Sequence, residues 1–171
     1  LLQHGAARVY GVDVGYGQTA WSLRTDPRVV LRERTNLRHL QADQLFSEGD
    51  PRPSLAVSDV SFISLRLILP ALRRLLSGQE PEALVLVKPQ FEVGRERVGR
   101  GGVVRDPEAH IQAIEMVVAA AAALDWRPQG LVASPLTGPA GNHEYVLWLA
   151  EEGDGALPDL TELVSLTLQI N

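Results

Sequence analysis

The chain has 171 residues, 45% of them hydrophobic, which suits one globular domain with its own core. It has no cysteine, which excludes disulfides, thiolate nucleophiles and Cys-ligated metal, and fits a cytoplasmic setting. The net charge of −5 argues against a nucleic-acid binder until its distribution is read. Residues 150–171 hold Glu151, Glu152, Asp154, Asp159 and Glu162 with no basic residue, whereas segment 88–105 has five basic and two acidic residues. An acidic tail thus masks a local positive loop.

In chain order, LLQHG reads as the last turn of a helix stopped by Gly5, followed by a strand over Val9 to Val14. So abrupt an opening leads us to expect further sequence ahead of Leu1. Gln18 to Arg24 predicts a short helix and Val29 to Leu31 a strand. The polar stretch ERTNLRHL leads on to a strand at Leu55 to Val57, which ends at Ser58 and Asp59. Leu65, Ile68, Leu69, Leu72, Leu75 and Leu76 recur at helical spacing, with Arg66, Arg73 and Arg74 off that face and Gly78 as the stop. Leu84 to Val87 form a continuous apolar run, the pattern of a parallel strand covered on both faces, and Pro89 marks its end. Asp106 and Pro107 provide an N-cap and a first-turn proline. Ile111, Ile114, Val117, Val118 and Ala121 continue as a long helix. A strand at Leu131 to Ala133, the turn-rich loop SPLTGPAGNHE and a strand at Tyr145 to Leu149 complete the pattern. Tyr16 and Trp21 read as core packing. The alternation predicts an α/β fold with a mostly parallel sheet and helices on both faces. Residues 1–150 form the domain and 151–171 the tail.

Four positions carry candidate chemistry. Lys88 is the only lysine beside fifteen arginines, and it ends a strand. Ligand and catalytic groups of open α/β sheets gather at that end. Lysine can give up its proton where arginine cannot; the plainer reading is a lysine left by chance on a strand edge. Asp13, in VDVGYG, reads either as an acid that binds ribose hydroxyls beside Gly15 and Gly17 or as a turn residue. Asp59 reads as a functional carboxylate or a cap, and Glu144 as a functional or a surface glutamate. Arg95, Arg97, Arg100 and Arg105 stand among glycines, suited to RNA phosphate or simply to a solvated loop. His4, His39, His110 and His143 show no metal-ligand spacing, so no metal site is expected. No apolar run approaches the roughly 18 residues of a membrane span, and no signal peptide is visible.

Taken together, VYGVDVGYGQ, ERTN, SDVSFISL, LVKPQFEVGR, GGVVRDP and SPLTGPAGNHEY resemble the hemolysin A (TlyA) family of ribosomal RNA methyltransferases, related to the FtsJ-type ribose 2′-O-methyltransferases. The resemblance covers residues 1 to 150. It implies a Rossmann-like methyltransferase fold, S-adenosylmethionine as methyl donor, and ribosomal RNA, free or in a ribosomal subunit, as acceptor. Of the family's Lys-Asp-Lys-Glu set, Asp59 is similar to the Asp, Lys88 to the second Lys and Glu144 to the Glu. The resemblance assigns Asp13, Gly15 and Asp59 to the cofactor. It also places the first lysine, the first strand, a Gly-rich cofactor loop and an S4-type RNA-binding domain ahead of Leu1. A central gap in the sheet follows from that reading. Pairing of its neighbours, a partner chain, or a strand formed by Val164, Leu166, Leu168 and Ile170 is expected to close it. Two other classes compete: a degenerate binding module, separable by cofactor titration, and a membrane-damaging hemolysin, which liposome leakage would reveal.

Overall fold

The computed structural model describes residues 1–77 and 80–169. A small sheet pairs β1 (Val9–Val12) with β2 (Val29–Arg32) in parallel. A larger sheet contains β3 (Leu55–Ser58), β4 (Glu82–Val87), β5 (Arg127–Ala133) and β6 (Tyr145–Ala150), in the order β3-β4-β6-β5. There β3 and β4 run parallel, while β6 is antiparallel to both β4 and β5. The mostly parallel expectation therefore holds for the β1-β2 and β3-β4 pairings and fails for both pairings that β6 makes. The cause is the connection: Ser134–Glu144 returns the chain without a crossover helix, and only antiparallel neighbours can be joined so directly.

Helices cover one face of this sheet, not both. Ala83, Val85 and Val87 are fully buried, and they share a core with Leu147, Leu149, Trp126 and the apolar stripes of three helices. Those helices are α3 (Leu65–Leu75), α5 (Pro107–Ala122) and α6 (Leu160–Gln169). On the other face, Leu84 lies between Val57 and Trp148, and those two neighbours are 57% and 40% exposed. The apolar run of β4 thus reflects a half-covered sheet rather than a doubly buried strand.

Local chemistry explains the helices. Ser64 caps α3 by accepting from the Arg66 N–H, and Leu65, Ile68, Leu69, Leu72 and Leu75 form its buried stripe. Each such leucine contributes about 1.5–3 kcal/mol by leaving water. Pro70 sits inside α3 and removes one of its backbone donors. Gly78, the expected stop, lies outside the described residues. Asp106 caps α5, whose buried face runs through His110, Ile114, Val117 and Ala121, while Ile111 and Val118 are only partly buried.

The tail departs from its strand expectation. Val164, Leu166 and Leu168 belong to α6, opened by Asp159 accepting from the Glu162 N–H. Val164 and Thr167, three apart, face the core, whereas Leu166 is 55% exposed. Period 3.6, not 2, describes this stretch; Ile170 lies outside the described residues.

The small sheet is held separately. Leu40, Leu45, Phe46 and Leu75 form a second cluster, with α2 (Ala42–Leu45) supplying Leu45 and the Tyr10 ring edge-on to Phe46 at 4.8 Å. No hydrogen bonds join β1 to β3. A cleft of about 590 Å³ lies between them, walled by Val9–Val12, Leu55–Asp59 and the Leu72, Leu75 and Leu76 side chains. Neither neighbour pairing nor the tail closes the gap, because α6 packs against α5 and β5 instead. Among the described residues no helix is long and apolar enough to cross a membrane.

Candidate active site

Lys88 follows β4 directly and opens the one-turn helix α4 (Pro89–Glu92), with Pro89 at its first position. Its Nζ lies 2.6 Å from Asp59 Oδ1 and 3.9 Å from Glu144 Oε1, and donates to Ser61 Oγ at 3.2 Å. Sheet register makes this meeting possible. Val87 pairs with Tyr145, so the residues just beyond them, Lys88 and Glu144, emerge together. Because β6 runs antiparallel, its start lies where β4 finishes. The Lys88 and Glu144 side chains are 12% and 9% exposed, while Asp59 is 67% exposed. A sunken amine therefore stands between a buried carboxylate and one that faces solvent.

Glu144 is held in turn. Gln90 Nε2 donates to its Oε1 at 3.3 Å, and a Cβ added at Gly138 would lie only 3.0 Å from that oxygen. Gln90 Oε1 is buried and has no partner among the described residues. Beneath the site, Glu92 is 3% exposed and accepts from Ser64 Oγ–H at 2.6 Å and the Leu65 N–H at 2.7 Å. Burial raises its pKa above the ordinary carboxylate range, against the lowering effect of those donors. This carboxylate fastens α4 to the start of α3.

Asp13 and Gly15 stand apart from this group, beyond the carboxyl end of β1. Asp13 Oδ1 accepts from the Gly15 N–H at 2.7 Å, and its backbone carbonyl accepts from the Thr35 N–H. Gly17 donates to Glu33 Oε1 at 2.7 Å; the Arg24 guanidinium beside Glu33 lowers that carboxyl's pKa. Tyr16 and Trp21, expected in the core, are 63% and 76% exposed. The Tyr16 ring instead carries the Arg34 guanidinium at 4.2 Å.

The arginine loop is partly tethered. Arg97 reaches Asp106 Oδ2 at 2.5 Å and Gln112 Oε1 at 2.6 Å, so its guanidinium is already engaged with protein groups. Arg95, Arg100 and Arg105 are exposed. Buried Asn142 pins the end of the loop, accepting from the Val104 N–H at 3.0 Å and donating to the Gly102 carbonyl at 2.9 Å. The Val104 carbonyl lies 3.0 Å from His110 Nε2, and a carbonyl only accepts, so that nitrogen carries the proton. His110 Nδ1 then accepts from Tyr145 O–H at 2.9 Å. Burial holds the His110 pKa below the ordinary imidazole value and pushes Tyr145 up to about 12.

Sequence reasoning missed Ser61, Gln90, Glu92, Asn142 and His110 as parts of this region. Proline after Lys88 was a legible sign of a helix start. Burial of Glu92 and Asn142 had no local signal.

An amine and two carboxylates thus meet where β3 and β4 finish and β6 begins, at the kind of sheet edge where open α/β folds gather their ligand groups. The chain belongs to the FtsJ-like methyltransferase family, whose model matches residues 1–151. It is 51% identical over 157 residues to the 16S/23S rRNA (cytidine-2′-O)-methyltransferase TlyA of Mycobacterium tuberculosis, covering 92% of this chain and 57% of that protein. Hemolysin A of Brachyspira hyodysenteriae is 36% identical over 146 residues, covering 85% of this chain and 59% of that one. The chain thus spans a little over half the length of these relatives. A solved structure from Lactococcus lactis, provisionally described as a hemolysin, matches with TM-score 0.86 and 42% identity, covering 96% of this chain and 78% of that chain. A SAM-dependent methyltransferase from Methanosarcina mazei, 16% identical, shares the fold at TM-score 0.56 over 84% of this chain and 82% of that one.

Proposed function

We propose that this chain carries the catalytic site of an S-adenosylmethionine-dependent enzyme that methylates ribose 2′-hydroxyls of ribosomal RNA. The observation that carries the reading is the placement of Lys88 Nζ, 2.6 Å from Asp59 and 3.9 Å from Glu144. A 2′-hydroxyl is a weak nucleophile at neutral pH and needs its proton taken or its developing alkoxide stabilised. A positioned proton acceptor contributes about 10²–10⁴-fold. Lys88 can serve as acceptor or as cation, with Asp59 and Glu144 aligning it and sharing the proton.

S-adenosylmethionine, when bound, supplies an electrophilic methyl group on a sulfonium. The residues present fit its nucleoside end. Asp13 is braced by the Gly15 amide, and an added Cβ at Gly15 would press Gln18 Nε2 at 2.9 Å and Asp13 Oδ1 at 3.1 Å. Asp59 lines the cleft beside Val12, and buried Ser58 Oγ, also on its wall, has no partner among the described residues. Asp59 on the cleft wall, with Asp13 and Gly15 just beyond the end of β1, would hold the cofactor. Arg95, Arg100 and Arg105 are free to meet RNA phosphate, whereas Arg97 shapes their loop.

Single-turnover methyl transfer by Lys88→Arg tests the reading, measured on the protein that carries this chain. Arginine keeps the charge but holds its proton at any working pH. The expected loss is on the order of 10²-fold or more in the chemical step, with RNA binding little changed. Near-parental turnover would leave Lys88 a structural or phosphate-binding residue.

A further inference from the structure

Lys88 Nζ has three oxygen partners among the described residues, and they differ in what they can do with a proton. Asp59 Oδ1 lies at 2.6 Å, Ser61 Oγ at 3.2 Å and Glu144 Oε1 at 3.9 Å. Ionised carboxylates only accept hydrogen bonds, whereas a hydroxyl both accepts and donates. The three differ in access as well. The Lys88 and Glu144 side chains are nearly buried, while Asp59 and Ser61 open to solvent. Ser61 is also firmly placed. Val60 and Ile63 on either side of it pack against the core, and Phe62 turns the chain at φ +63°. Buried Glu92 holds Ser64 and Leu65 where the turn enters α3.

An ammonium has three hydrogens, one for each of these oxygens, and the arrangement suits the charged amine. A neutral amine has two hydrogens and a lone pair. Two carboxylates can take the hydrogens, but neither can donate to the lone pair; of the three neighbours only Ser61 can. We propose that the Ser61 hydroxyl relays the 2′-hydroxyl proton to Lys88, an inference that rests on the ribose-methylation reading. Carboxylates are weaker bases than amines, so the amine and not Asp59 is the proton's destination. The step begins from the neutral amine, with Ser61 donating to its lone pair. As the 2′-oxygen bonds to the methyl carbon, the C–S electron pair stays with sulfur. The 2′-hydroxyl proton moves to Ser61 Oγ while the Ser61 proton moves to Nζ. The hydroxyl is regenerated and the amine ends as an ammonium among three acceptors, so protons and charge balance. A ribose meets the exposed hydroxyl, and the sunken amine stays between its carboxylates.

The test is single-turnover methyl transfer by the protein that carries this chain, comparing the parent with Ser61→Thr and Ser61→Val. Threonine and valine have the same shape, so the pair isolates the hydroxyl, and valine's methyl occupies the place a water would take. Ser61→Val should lose on the order of 10-fold or more in the chemical step, with RNA and S-adenosylmethionine binding unchanged. Ser61→Thr should recover most of that loss. A second measurement needs no variant. In mixtures of light and heavy water the parental rate should fall along a curve, because two protons move together, whereas direct transfer to Lys88 gives a straight line. A straight line, equal rates for Ser61→Val and Ser61→Thr, or a loss confined to binding overturns the proposal. Undiminished turnover by Lys88→Arg, or no methyl transfer by the parent, refutes the methylation reading and the relay with it. Loss in Lys88→Arg beside a full rate in Ser61→Val refutes the relay alone.

Discussion

The two sheets of this protein solve the same packing problem with unequal means. The four-stranded sheet lies under α3, α5 and α6 and shares with them one core that includes Leu69, Val85, Trp126, Leu147 and Val164. The two-stranded sheet relies on a cluster around Leu40, Leu45 and Phe46, which borrows Leu75 from α3. Between them lies the cleft, with no strand pairing across it. Lys88 and Glu144 sit on the well-packed side, where rigid elements fix their distance, and Asp13 and Gly15 on the lightly packed side. On the proposed methyl-transfer reading, firmly packed placement of Lys88 and Glu144 beside a lightly packed wall suits a site that must fix a proton acceptor and still admit a ligand.

Truncating one leucine on each side should break the comparison if it is wrong. Leu69→Ala opens a void in the large core and should cost about 2–5 kcal/mol of global stability. Leu45→Ala should instead lower hydrogen-exchange protection at Tyr10, Val12 and Val30 while leaving Val85 and Leu147 close to parental. Equal loss of protection on both sides for Leu45→Ala would show a single cooperative unit.

A smaller effect sharpens the account of the large side. Asn142→Ala leaves the Val104 N–H and the Gly102 carbonyl without their partner, and should cost about 1–3 kcal/mol in denaturant unfolding. Asn142→Asp still accepts from Val104 but cannot donate to Gly102, and should fall between the two. A neutral Asn142→Ala would mean that water replaces both bonds freely.

The smallest effect is a pH dependence confined to the same side. His110 has its folded-state pKa depressed by burial, so the unfolded chain takes up a proton that the folded protein resists. Stability from the neutral ring is present above the unfolded value of about 6.5, and is lost as pH falls from there through the depressed folded value. The slope is at most about 1.4 kcal/mol per pH unit. His110→Gln should flatten the unfolding free energy over that window. Parallel profiles for parent and variant would remove His110 as the source.

Much of the fold could be read locally, and the exceptions share a cause. Val9, Leu55 and Tyr145 each begin a strand where alternation and turn residues predicted one, and Ser64 and Asp106 open helices by capping. Those signals lie within a few residues of the structure they specify. The α6 helix was missed because Val164, Leu166 and Leu168 fit a period of 2 as well as a fragment of period 3.6, and only contact with α5 and β5 selects between them. The bare face of β4 was missed for a related reason: an apolar run does not state which of its sides will be covered.

By itself, the sequence determined that Lys88, Asp59 and Asp13 end strands, because apolar runs stop there and polar or turn-forming residues take over. It also determined that Lys88 is the one lysine among these 171 residues. Tertiary structure alone decided that Glu144 meets Lys88, since that depends on β6 entering antiparallel beside β4 with Tyr145 opposite Val87. It alone decided that Arg97 is spent on Asp106 and Gln112, and that Phe62 faces outward at positive φ while Val60 and Ile63 turn in. Pairing across 57 residues of chain, from Lys88 to Glu144, is a property of register and packing, and no local pattern encodes it.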